Sequence, residues 1–185
     1  MEGAAAFTDV PGWGLVGVGA IALVAAPLAA VQPTVQRWLA VWFATAAIAA
    51  VAGSWAMWQK MRRRVAGNGP LTLSLPARKF LLGFWPAMLA GAVLTVALID
   101  PFTAGMNEVL VTRTLPGLWL LLYGVGVTTA GAHSIRAVPL MGAGFLALGV
   151  AALFFPQANG NVMMALGFGA LQIGFGVRIA RRYGG

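Results

Sequence analysis

Apolar residues run almost unbroken through six stretches of the chain, approximately 13–31, 38–58, 80–99, 115–132, 137–155 and 162–179, with polar residues gathered between them. Each stretch holds about 18–21 residues, which at a rise of ~1.5 Å per residue gives roughly 27–31 Å of helix, the thickness of a hydrocarbon core. Lipid offers no partner for an unpaired backbone N–H or C=O, so a spanning segment closes its hydrogen bonds internally as a helix or joins a barrel. The period-2 alternation of a barrel strand is absent. The pattern predicts an all-α bundle of six transmembrane helices, a single domain over 1–185.

The interruptions carry turn chemistry. "QPT" (32–34) divides the first two spans, "DPFTAG" (100–105) follows the third, and "PQANGN" (156–161) divides the last two. Proline stops a helix, and Gly, Asn and Asp favour turns. In "SLPARKF" (74–80), Ser74 can cap a helix and Pro76 suits its first turn, so the third helix starts before its apolar core. The stretch 59–79 reads as the one sizeable loop, too short to be a domain.

Composition agrees with the pattern. Of 185 residues, 60% are hydrophobic and 9% charged, with a mean hydropathy of +0.86, against roughly 25% charged in a soluble domain. Cysteine is absent, which excludes disulfides, thiolate metal sites and cysteine nucleophiles. The first twelve residues contain Glu2 and Asp9 and no basic residue, unlike a cleaved signal peptide.

Charge orients the chain. On the side of the termini lie Lys60, Arg62, Arg63, Arg64, Arg78 and Lys79 in 59–79, Arg136, and Arg178, Arg181 and Arg182 at the end; the other side has Arg37 and Arg113. Ten against two predicts cytoplasmic termini and a cytoplasmic 59–79 segment. The net charge of +8 therefore does not point to nucleic acid, which would want a basic face on a soluble fold. The expected partners are anionic headgroups, at about 1 kcal/mol per basic residue near the surface, and a protein partner or a second copy. Trp13, Trp38, Trp55, Trp58, Trp85 and Trp119 lie near span ends, where indole rings suit the headgroup level; Trp42 is deeper.

Candidate chemistry is sparse. No span centre carries Asp, Glu, Lys or Arg, the usual mark of proton relays and ion paths. No P-loop, HExxH or Ser-His-Asp set is present, and no cofactor, metal or catalytic residue is expected. His133, the sole histidine, reads as a helix-end residue or, alternatively, a proton or metal group. Gln172 is the foremost intramembrane polar residue. At ~100° per residue it shares a face with Ala165, Gly169 and Gly176, while Gly167, Ala170 and Gly174 occupy the opposite one, so the sixth helix should meet neighbours on two sides. Gly117, Gly124, Thr128 and Gly131 form a similar stripe with Tyr123 at its edge; Ala87, Gly91 and Thr95 form another in the third span. Two readings stay open for Gln172, Tyr123, Thr128 and Thr95: interhelical packing bonds, or the lining of a polar cavity. Pro86 and Pro139 can kink or start helices. The outer stretch 100–117, with Asp100, Glu108 and Arg113, reads as a loop that can fold back on the membrane. "PGWGLVGVG" (11–19) and "PGLWLLLYGVG" (116–126) hint at an inverted repeat of three spans each.

The stretches "LPGLWLLLYGVGVTTAG", "VPLMGAGFLALGVAALFFP" and "ALGFGALQIGFGVRIARRYGG" resemble a group of small multi-span bacterial inner-membrane proteins with no assigned activity, best over spans four to six. The resemblance implies a packed helical bundle and no functional residue. Three function classes follow: a membrane-embedded partner or sensor component; a small transporter or channel for a neutral or lipid-like molecule; and, least favoured, an intramembrane enzyme.

Overall fold

A computed structural model describes residues 10–64, 75–99, 108–132, 134–155 and 159–183. Six helices, all long and apolar enough to cross a membrane, make up the fold: α1 Gly12–Ala30, α2 Val35–Arg64, α3 Leu75–Ile99, α4 Glu108–Gly131, α5 Ala137–Phe154 and α6 Gly160–Tyr183. The chain is an integral, multi-pass membrane protein.

Two antiparallel helix pairs form the rigid part. In lipid no hydrophobic force drives helices together, so close association depends on van der Waals contact, and small residues permit it. Along α4, Gly117 and Gly124 stand seven residues apart, and they meet Gly149 and Gly142 of α5, also seven apart. A Cβ on Gly124 would sit 2.8 Å from the Leu146 nitrogen and 3.0 Å from the Gly142 carbonyl; one on Gly149 would sit 3.0 Å from the Gly117 carbonyl. The second pair repeats the device. Gly12 and Gly19 of α1 meet Gly176 and Gly169 of α6, with 2.7 Å and 2.8 Å between each would-be Cβ and the facing carbonyl. A seven-residue repeat keeps one seam facing its partner along a left-handed crossing.

Around these pairs, α3 lies along α4, α2 leans on α1, and α6 also touches α4 and α5. Among the described residues no extended contact joins α2 to α3. The core runs through Leu115, Leu120, Phe145 and Ile179, all fully buried. Pro116, inside α4, has no N–H and its ring crowds the Thr112 carbonyl one turn back. Gly160, lacking a side chain, packs on both: its Cβ would meet Pro116 Cγ at 2.7 Å and the Thr112 oxygen at 3.1 Å.

Several expectations need correction. The basic stretch taken as a loop from residue 59 is helical through Arg64, and α3 begins at Leu75; only 65–74 lie outside the described residues. Gln, Lys, Met and Arg are good helix formers, and long basic side chains reach water from a helix end. Likewise α4 starts at Glu108, so Leu110 and Arg113 sit on a helix, not a surface loop; Asp100 lies outside the described residues. Of the tryptophans, Trp13, Trp55 and Trp85 face the surroundings of the bundle, whereas Trp38 and Trp42 turn inward and are buried and Trp119 is partly so; this adds a helix-packing role to the span-end reading and does not overturn it. Of the two faces expected of α6, Gly167 packs on Leu120 and Phe145, while Gly174 faces open space.

Candidate functional site

The most buried polar group of the bundle is Gln172, 1% exposed. It follows a π-helical segment, Ala165–Leu171. A π turn holds about one residue more than an α turn, a rare feature that is frequent at functional sites. The segment is permissive because Ala165, Gly167, Gly169 and Ala170 are small. Gly169 and Gly176 turn toward α1, whereas Gln172 reaches α4, so the common face expected from an ideal wheel is split.

Gln172 Nε2 donates to the Tyr123 hydroxyl at 3.0 Å. The ring of Tyr123 is held by three phenylalanines: Phe84 of α3 edge-on at 5.6 Å, Phe145 of α5 at 4.7 Å and Phe168 of α6 at 5.0 Å. Four helices thus meet at one tyrosine. Gln172 Oε1 is buried without a hydrogen-bond partner. Turning the amide over would let Tyr123 donate to the oxygen but strand the NH₂, so either orientation leaves one end unpaired. A buried polar atom without a partner costs about 1–3 kcal/mol.

A second polar cluster lies near the opposite end of α6 and was missed by sequence reasoning. Asn161 Oδ1 accepts from Trp38 Nε1 at 2.8 Å and Trp42 Nε1 at 3.2 Å. Trp38 stacks on Trp119, centroids 5.7 Å apart and planes 8° apart. Trp119 Nε1 donates to Thr95 Oγ1 at 2.8 Å, and Thr95 donates to the Gly91 carbonyl at 2.7 Å. This chain ties α2, α3, α4 and α6 together. Asn159 beside it caps α6, accepting from the Asn161 and Val162 amides. The available signal was that "NGN" offers both a cap and a spare amide next to two indoles one helical turn apart.

The predicted polar residues therefore fall into separate places. Gln172 and Tyr123 meet. Thr95 belongs to the tryptophan cluster. Thr128 donates to the Gly124 carbonyl at 2.8 Å and packs on Gly142 in the α4–α5 seam.

The basic residues are also divided. Lys60 donates to the Val10 carbonyl at 3.1 Å, tying the end of α2 to the start of α1. Arg62 lies over the Trp58 ring at 4.0 Å, an arrangement worth about 0.5–1 kcal/mol when exposed. Arg78 and Lys79 are exposed on the first turns of α3. The side chains of Arg63 and Arg64, and His133 altogether, lie outside the described residues. Among the described residues no three His, Asp or Glu side chains gather where a metal could sit.

No family model, curated protein or solved structure matches the chain.

Proposed function

We propose that this protein is a membrane-embedded partner component, of a sensor or regulatory kind, that holds another transmembrane helix against α2. One observation carries the reading. The fold closes two helix pairs with small residues at seven-residue spacing, and α2 carries a third such seam on which, among the described residues, no helix packs. Ala40, Ala44, Ala47, Val51 and Ser54 alternate at intervals of four and three, fall within about 40° of one line at ~100° per residue, and are all exposed. A shallow groove lined by Ala50, Val51, Ser54, Trp55 and Trp58 continues the seam. Meanwhile α2 is anchored from its other face, by Trp38, Trp42 and Lys60. The distribution of basic residues supports cytoplasmic termini, and the reading requires no catalysis.

Leucine at both Ala44 and Ala47 would block close helix approach. The double variant is expected to accumulate normally yet lose a partner that co-purifies with the native chain from the source membrane. Unchanged co-purification would reject the reading.

Transport of a neutral or lipid-like molecule is the second reading, favoured by the unpaired Gln172 oxygen. Against it, Gln172 and Tyr123 are closed in by three aromatic rings.

A further inference from the structure

The outward face of α6 ends in an arrangement that neither helix packing nor partner docking uses. Gly174, Val177, Arg178, Arg181 and Arg182 line one groove. Nothing lies within 4 Å of where a Gly174 Cβ would be, so the groove has a notch in its floor. The opposite face of the same turns, Gln172, Gly176, Ile179 and Ala180, is buried, which fixes the groove toward the surroundings of the protein. From Gly174 to Arg178 is about 6 Å along the axis, and from Arg178 to Arg182 another 6 Å. The notch therefore belongs to the apolar part of a spanning helix, and the three guanidinium groups stand above it, where the helix leaves the membrane.

We infer that this groove is a binding site for an anionic phospholipid, with its phosphate held by Arg178, Arg181 and Arg182 and the upper part of one acyl chain laid against Gly174 and Val177. Charge decides the headgroup. All three side chains are exposed, and Glu108, the one acidic side chain among the described residues, sits on the first turn of α4. Guanidinium groups offer a forked set of N–H donors that matches phosphate oxygens. The apolar notch below the charges selects an amphiphile over a free anion. Arginine at this depth can lay its methylene stem along the helix and keep its head at the interface.

The test is native mass spectrometry of the purified full chain, titrated with phosphatidylglycerol, phosphatidylcholine or glycerol phosphate. Phosphatidylglycerol is expected to be retained in preference to phosphatidylcholine. Substituting Arg178, Arg181 and Arg182 together with Gln should weaken its retention by roughly 100-fold, at about fivefold per basic residue near the surface. Substituting Arg37 and Arg113 with Gln removes charge at the other end of the bundle, where Trp38 beside Arg37 bonds Asn161 about 25 Å along α6 from Arg178, and should weaken it by about twofold or less, because charges beyond ~10 Å are screened. Gly174→Leu fills the notch and keeps every charge; it should reduce phosphatidylglycerol retention while leaving the weak glycerol phosphate signal unchanged. Equal losses in the two charge variants would overturn the site, as would glycerol phosphate binding as tightly as the lipid. Native-like retention by Gly174→Leu would overturn the acyl-chain half of the assignment.

Discussion

The helix α4 and the helix α2 use the same small-residue device to opposite ends. Of the most apolar window of α4, 44% is buried inside the protein, against 11% for α2. In α4 the stripe of Gly117 and Gly124 is spent on α5, with backbone nearly touching backbone. In α2 the stripe from Ala40 to Ser54 faces outward, and the inward face holds on through indole hydrogen bonds and one lysine. Where lipid removes the hydrophobic incentive for helices to associate, a seam of small residues matters only if another helix is there to fill it.

That contrast can be broken most forcefully at Gly124. Leucine there must displace the α5 backbone, so Gly124→Leu should lower stability by about 3 kcal/mol or more, measured by reversible unfolding in mixed micelles. A tolerated leucine would mean that the α4–α5 seam is not closed as described. Next in size is Asn161→Ala. It strands two indole donors, and about 2 kcal/mol should be lost, with a change in tryptophan emission as Trp38 and Trp42 are freed. Tyr123→Phe removes the hydroxyl that accepts from the buried Gln172 amide and should cost about 1 kcal/mol. Adding Gln172→Leu to that variant should restore most of the loss, because no polar atom is then left unpaired. Additive losses in the double variant would show that Gln172 finds another partner. Smallest is Ala47→Leu on α2, expected to alter stability of the isolated chain by no more than about 0.5 kcal/mol.

Six spans were legible because length and hydropathy determine them almost alone. The stripes at Gly117, Gly124 and Gly131, and at Gly169 and Gly176, were visible too. Their partners were not: any small-faced helix can pair with another, and only the structure shows Gly124 on Gly142 and Gly19 on Gly169. The end of α2 was misplaced because charge was read as loop, although the run from Gln59 to Arg64 contains no helix breaker. Trp38 and Trp119 were assigned to the headgroup region by position along the chain, a rule blind to the amide of Asn161 and the hydroxyl of Thr95 across the bundle. For Gln172 the sequence identified the residue, and an interhelical hydrogen bond was one of its two readings; that Tyr123 is the partner is visible only in the structure. The π-helical segment that precedes it left no sequence mark beyond a cluster of small residues.

Since the chain contains no cysteine, one thiol can be placed where it decides the matter. With Ala47→Cys on the α2 seam and Val24→Cys on the exposed face of α1 as reference, crosslinking by a short photoactivatable thiol reagent in the source membrane should give a discrete higher-mass adduct at 47 and none at 24. Equal labelling by lipid alone at both positions would contradict a docking face on α2.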